Sequence, residues 1–202
     1  LPPLTTKSGE LINAVYGFTS ILIKTISGFK PDYIVAAFDA PGATFRHEEY
    51  KEYKATRVKA PDDLYAQIPR VKEILAAFKI PIFEKSGFEA DDIIGTIAKK
   101  CSKLNAQCII ITGDRDLMQL VNNRVSLYMS FKGFSDMTRV DVEKVHERLG
   151  INPNQVIDYK ALVGDSSDNY PGVTGIGPKT AIDLISNYSS FSNIYKSLDK
   201  IK

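Results

Sequence analysis

Tyr33–Asp39 reads YIVAAFD, a short unbroken apolar run after Pro31 that stops on a carboxylate. This is the pattern of a β-strand buried on both faces, as in a parallel sheet covered by helices. Two runs of the same kind follow, IPIF at Ile80–Phe83 and CIIIT at Cys108–Thr112, while VSLYMS at Val125–Ser130 alternates more. Before and between them the apolar residues fall at helical spacing. Leu11, Val15, Phe18, Leu22 and Ile26 predict a helix that Gly28 stops. Leu64, Ile68, Val71, Leu75 and Phe78 predict a second, capped by Asp62 and kinked or restarted at Pro69. Ile93, Ile94, Ile97, Cys101 and Leu104 predict a third after an acidic start. Alternating strands and helices define an α/β fold, a mostly parallel sheet with helices on both faces, expected over residues 1–150.

After Gly150 the pattern is helical only. Asn152 and Pro153 form a cap-plus-proline start for a helix reaching about Val163, and Pro178 starts another reaching about Asn187. Residues 151–202 are therefore expected to form a small helical module.

Composition excludes several classes. In 202 residues, 44% are apolar, enough for an ordinary core and too many for a disordered or collagen-like chain. The longest apolar runs fall well short of the ~20 residues a membrane span requires. No charged-then-apolar signal sequence opens the chain, and Cys101 and Cys108 lack the paired spacing of a zinc or redox site. A reducing, cytoplasmic setting is expected. The net charge of +2 hides an uneven arrangement, because eight of the 24 carboxylates fall in tight clusters. If bound metal neutralised those eight, the remainder would be strongly basic and suited to a polyanionic partner.

The clusters lie where ligand sites of open α/β sheets form, beyond the carboxyl ends of the strands. Asp39 closes the first run, Asp114 and Asp116 follow the third in TGDRD, and Glu89, Asp91 and Asp92 open a helix in FEADDIIG. First-turn acids also cap helices and complement their dipole, and a strand-ending aspartate also turns the chain. Together, however, crowded carboxylates repel one another and either take up protons or hold cations. An all-oxygen set favours Mg²⁺ or Mn²⁺ over zinc, and neither His47 nor His146 sits near a second metal ligand.

GDSSDN adds Asp165 and Asp168 where the helical module begins, and GVTGIGPKTA follows with Gly175, Gly177 and Ala181 leading into a helix. Small residues at this spacing permit a tight hairpin whose backbone N–H groups and following helix start suit a phosphate, with Lys179 and Thr180 beside it. Gly42–Pro61 interleaves Phe45, Tyr50 and Tyr53 with Arg46, Lys51, Lys54, Arg57 and Lys59. Such a segment either stacks on bases and holds phosphates or forms a solvated helix whose glutamates pair with its lysines.

FDAPGATFRHEEYKEYKATR, GFEADDIIGTIA, ITGDRDLMQL and ALVGDSSDNYPGVTGIGPKTA, in this order, closely resemble the 5′ nuclease domain of bacterial DNA polymerase I, of the flap endonuclease superfamily. The likeness runs from LPPLTTKSGE to the end of the chain. It implies a metal-dependent 5′-3′ exonuclease and flap endonuclease that hydrolyses phosphodiester bonds of DNA with a 5′ end or flap, removing primers and flaps. It implies that Asp39, Glu89, Asp91, Asp92, Asp114, Asp116, Asp165 and Asp168 match the metal-site carboxylates, and that Lys54 and Arg57 match the basic pair of a helical arch. Asp39, Asp114 and Asp116 with Lys54 and Arg57 form the expected catalytic set. Arg46, Tyr53, Lys54, Arg57, Gly172, Gly175, Gly177, Lys179 and Thr180 form the expected DNA-binding set. The hairpin at Gly172 to Lys179 would make 151–202 a helix-hairpin-helix module that grips duplex backbone with a bound monovalent cation such as K⁺. Two or more Mg²⁺ or Mn²⁺ ions, a monomer without membrane contact, a possible polymerase domain in the full-length chain, and a bacterial nucleoid or DNA-containing organelle complete the expectation.

Members of the family begin with an apolar strand ending in aspartate, some twenty residues upstream of the segment that matches Leu1. Its absence here, with that of further C-terminal helices, leads to the expectation of a fragment of a longer chain. A cleavage-deficient module that only recognises branched or 5′-ended DNA is the alternative, and a related nuclease acting on RNA a weaker third.

Overall fold

The computed structural model describes residues 4–131 and 137–201. In chain order its elements are α1 (Asn13–Phe29), β1 (Ala36–Ala37), α2 (Phe45–Glu49), α3 (Asp62–Ala77), β2 (Ile82–Phe83), α4 (Ala90–Lys103), β3 (Cys108–Ile111), β4 (Val125–Ser130), β5 (Met137–Val140), α5 (Val142–Leu149), α6 (Val156–Val163), α7 (Pro178–Tyr188) and α8 (Phe191–Tyr195). They form two compact units, Leu1–Gly42 with Val58–Ile93, and Ala43–Arg57 with Ile94–Lys202.

In the first unit, α1 packs on α3 and both cover one face of the parallel pair β1–β2, registered Ala36 to Ile82 and Ala37 to Phe83. Val15 and Leu22 of α1, Val71 and Leu75 of α3, and Ile80 make the buried centre. Ile34, Ala36 and Phe38, alternating along the strand, pack against it. The expectation of a strand buried on both faces is corrected here. Tyr33 is 92% exposed and Val35 43%, because α1 and α3 cover only the face that carries the even-numbered residues.

The predicted stripe of the second helix is also revised. Leu64 and Phe78 are exposed, while polar Gln67 is buried. Its Oε1 accepts the Ala14 N–H at 2.8 Å, supplying one of the acceptors a helix start lacks, and its Nε2 donates to the Asp63 carbonyl. Pro61 occupies the cap position expected for Asp62, and α3 runs through Pro69 as one element.

In the second unit, β4 lies between β3, parallel to it, and β5, antiparallel. Leu127, Met129 and Val140 are fully buried. Ser126, on the other face of β4, is buried too, its hydroxyl accepting from Arg139 Nε at 3.2 Å. Of the α/β expectation, the mixture of helices and strands is present, with the strands in two small sheets, one in each unit. Asn152 and Gln155 form a capping box that starts the turn leading into α6, and Gly177 with Pro178 starts α7, both close to the predicted boundaries. Val156 and Leu162 of α6 and Ala181 and Ile185 of α7 join the same core as the sheet.

Candidate metal centre and the segment that contacts it

In the first unit, the carboxylates gather around the start of α4. Asp39 Oδ1 accepts the Ala90 N–H at 2.7 Å, and Asp92 Oδ2 accepts the Glu89 N–H at 2.9 Å. The capping reading of the first-turn acids is thus realised for Asp92, and Asp39, read from the sequence as a residue that turns the chain, also accepts an N–H at this helix start. Asp91 lies in the same first turn.

In the second unit, Asp116, Asp165 and Asp168 converge, one carboxylate oxygen from each lying within 4.8 Å of the others. The loop between α6 and α7 enforces this placement. Asp165 and Tyr170 exchange two backbone hydrogen bonds of 2.8 Å, closing the loop on itself. At its base Gly164, at φ 77°, and Gly172, at φ 66°, cross so closely that a Cβ on the first would lie 2.5 Å from the Tyr170 carbonyl, and on the second 2.4 Å from the Gly164 nitrogen. Only glycine fits both the backbone conformation and the approach. Inside the loop, Asp165 Oδ1 accepts from the Ser167 N–H and hydroxyl, which fixes the carboxylate's direction. Asp114 stands next to the cluster in sequence but turns its Oδ1 to the Asp116 N–H, 2.8 Å away.

Sequence reasoning missed the residue that holds these carboxylates together. Lys160, on α6, lies 2.7 Å from Asp116 Oδ1 and 2.5 Å from Asp165 Oδ2. Its signal was its position five residues before Asp165, on the last turn of the helix that leads into the aspartate loop. Burial pushes the Asp116 carboxyl above the usual carboxylate range, Asp114 and Asp165 adding repulsion and Lys160 opposing both. Burial also acts against Asp165, but the hydrogen bonds from Lys160 and Ser167 outweigh it and hold that carboxyl well below the range. Burial disfavours the Lys160 charge, yet the two carboxylates raise its pKa above the ordinary lysine value. Three convergent oxygens partly neutralised by an ammonium fit a hard divalent cation.

The segment Ala43–Arg57 reaches the same loop. It contains one short helix, α2, started by Thr44, whose hydroxyl lies 2.9 Å from His47 Nδ1, and then a run of turns. The Lys54 N–H donates to the Asp168 carbonyl at 3.1 Å, and Lys54 Nζ stands 4.0 Å from Asp168 Oδ1. Lys54 adopts φ 53°, a left-handed conformation that costs a residue with a side chain roughly 1–3 kcal/mol and persists where the surroundings demand it. Tyr53, expected to stack on bases, is 2% exposed and packs between His47 and Tyr170, so its ring supports the segment's shape instead. Arg57 is exposed, and Arg46 lies over the Phe45 ring at 4.6 Å. A cavity of about 530 Å³ opens here, lined by Tyr50, Glu52, Asp165, Asn169 and Tyr170 among others.

Gly175, Gly177, Lys179 and Thr180 are exposed at the start of α7, Gly175 at φ 84° with open space where a Cβ would point. Gly172, expected among the DNA contacts, instead packs its backbone against Gly164.

An α/β chain with carboxylates at helix starts and strand ends, and with a loop whose Asp165 and Asp168 meet Asp116, defines a class of proteins with an acidic site that could hold a cation. The comparisons make the class particular. Residues 1–150 match the family described as 5′-3′ exonuclease, N-terminal resolvase-like domain, and residues 151–202 match its C-terminal SAM fold. The chain belongs to the 5′-3′ exonuclease family. It is 50% identical over 205 residues to DNA polymerase I of Caldicellulosiruptor bescii, covering 100% of this chain and 24% of that protein. The chain thus spans about a quarter of that relative's length. A 5′-3′ exonuclease of Aquifex aeolicus is 44% identical over 202 residues, covering 100% of this chain and 68% of the relative. Among solved structures, the T5 D15 protein co-crystallised with metal ions shares the fold, with a TM-score of 0.76 at 24% identity over 92% of this chain and 71% of that one. Among the described residues no helix is long and apolar enough to cross a membrane.

Proposed function

We propose that this chain is a metal-dependent phosphodiesterase that hydrolyses DNA at 5′ ends and 5′ flaps, serving primer and flap removal, and that it is joined to a polymerase in the full-length protein. The observation that carries the reading is the convergence of Asp116, Asp165 and Asp168 on a glycine-locked loop that Lys54 contacts, in a chain of the 5′-3′ exonuclease family. Two or more Mg²⁺ or Mn²⁺ ions, held by Asp116, Asp165 and Asp168 with Asp114, and by Asp39, Glu89, Asp91 and Asp92, would lower the pKa of water and offset charge on the phosphate. Lys54 and Arg57 stabilise phosphate charge as cations, not bases, and Arg46 adds to their field.

Residues 151–202 act as a helix-hairpin-helix module appended to a nuclease body at 1–150 whose strands belong to a mostly parallel sheet. The N–H groups about Gly175 and Gly177, with Lys179, Thr180 and a K⁺ ion, hold the duplex backbone without reading bases. The protein works as a monomer with the bacterial nucleoid, or in a DNA-containing organelle.

A labelled 5′-flap substrate tests this. Cleavage is expected with Mg²⁺ or Mn²⁺, none with EDTA, and none for Asp116→Asn, which still binds the flap. Flap binding without cutting under every metal condition would replace the nuclease reading with that of a structure-selective DNA-binding module; neither binding nor cutting would remove both.

A further inference from the structure

We propose that Asn169 is a positioning residue that latches the cationic segment Ala43–Arg57 to the aspartate loop, so that cation occupancy of the loop and the placement of Lys54 are linked. The loop is rigid for reasons of its own, closed by the paired backbones of Asp165 and Tyr170 and by the Gly164–Gly172 crossing. Its carboxylates serve the cluster with Asp116, and the main chain at its far end holds the segment. Asn169 makes two of the connections. Its Nδ2 donates to the Glu52 carbonyl at 2.8 Å, and its own carbonyl accepts the Tyr50 hydroxyl at 3.1 Å. The neighbouring Asp168 carbonyl takes the Lys54 N–H, and the Tyr50 ring stacks on Tyr170 with centroids 5.2 Å apart. Residues 168–170 therefore grip residues 50–54 at four points, which run from Tyr50 up to the left-handed turn at Lys54.

The residue type is decided by two demands met at once. Asn169 sits at φ 64°, where asparagine is among the few side-chain-bearing residues tolerated. Its amide also donates to the Glu52 carbonyl, which accepts the Ala55 N–H as well, and so ties that turn of the segment to the loop. Glycine would meet the first demand and lose the donor; aspartate would set a carboxylate against a carbonyl oxygen. A cation that restrains Asp165 and Asp168 restrains the main chain at 168 and 169, and through it the Lys54 amide.

Amide hydrogen exchange tests the latch directly. The Lys54 amide is expected to exchange at least ~10-fold faster in Asn169→Gly than in the unaltered protein, about 1.4 kcal/mol of lost protection, while amides of β4 stay unchanged. Mg²⁺ alone should slow Lys54 exchange in the unaltered protein and have no such effect in Asn169→Gly. Asn169→Asp should behave like the glycine variant. Unchanged Lys54 exchange in both variants overturns the latch, and Mg²⁺ protection that persists in Asn169→Gly overturns the linkage. The consequence for catalysis rests on the function proposed above. There, Asn169→Gly should lower the flap-cleavage rate at saturating substrate without weakening flap binding, and should add nothing to Lys54→Ala, because the two act through one group. Additive losses would sink the positioning role, whereas a chain that cuts no flap at all would count against the nuclease reading and leave the exchange measurements to decide the latch.

Discussion

The two carboxylate groups solve the same electrostatic problem with different partners. At the start of α4, Asp39 and Asp92 face backbone N–H groups, which are fixed in direction and part of a helix dipole. In the second cluster, Asp116 and the loop's Asp165 share the ammonium of Lys160, a point charge at the end of a flexible side chain. The first arrangement fixes Asp39 and Asp92 in direction against the backbone. The second neutralises part of its charge internally through Lys160, an ammonium with which a metal ion would compete under the function proposed above.

The largest test of this contrast is geometric. Gly164→Ala must place a methyl group 2.5 Å from a backbone carbonyl as well as adopt a left-handed conformation, so it should cost at least ~3 kcal/mol, the sum of strain and overpacking. Gly87, in the first unit, has a comparable φ of 81° but open space around it, and its alanine variant should cost only about 1 kcal/mol. Urea unfolding midpoints compare the two. Equal costs would mean that the loop yields, and that its carboxylates are less fixed than their contacts imply.

This pair also marks the limit of what the sequence disclosed. Both glycines are visible in it, but only the crossing of Gly164 with Gly172, eight positions apart, separates a tolerant turn from a locked one. Periodicity located α1 well because that helix buries a stripe of its own, whereas of the stripe expected for α4 Leu104 is 77% exposed and lies beyond the helix, and α7 was placed by its Pro178 start. It failed for β1, whose apolar run gave no hint that one face stays open, and for Gln67, whose burial follows from a hydrogen bond to another helix. β5 and α5 passed unannounced, the strand because four residues are too few to show a period. In the candidate site the aspartates were legible as clusters. Lys160 and Asn169 were not, since their roles depend on tertiary neighbours: the first on Asp116, the second on Glu52 and Tyr50.

The next test acts on the ammonium. Lys160→Met removes the internal cation while keeping most of the aliphatic stem, so the variant should melt at a lower temperature in EDTA and bind Mn²⁺ roughly 10-fold more tightly, about 1.4 kcal/mol. Titration calorimetry reads the affinity and thermal melts read the stability. Asp92→Asn, which keeps an acceptor for the Glu89 N–H, should leave the EDTA melting temperature nearly unchanged. If Lys160→Met binds Mn²⁺ no more tightly, the ammonium does not compete with metal, and the contrast between the two carboxylate groups reduces to one of hydrogen-bond geometry.

The smallest expected effect comes from a probe that reports on the second unit by itself. Both cysteines lie there, and neither is in a disulfide. Burial, with the adjacent Cys101, pushes the Cys108 thiol up to about 11. Because alkylation requires the thiolate, the rate at native Cys108 should keep rising tenfold per pH unit up to about 11, whereas in the unfolded chain it should level off near the ordinary thiol value of ~8.5. The sign for stability follows: the fold favours the neutral thiol, so this contribution is complete below ~8.5 and is lost as pH rises from there toward the folded value. Measured at fixed pH, Mg²⁺ that fills the aspartate loop should slow Cys108 alkylation further, by roughly threefold, because Leu162 at the end of α6 and the residues packed on Cys108 belong to one core that must loosen to admit the reagent. Slowing by Mg²⁺ that survives Asp165→Asn would show that the ion acts elsewhere than the loop, and would transfer the metal-dependent stability to the carboxylates at the start of α4.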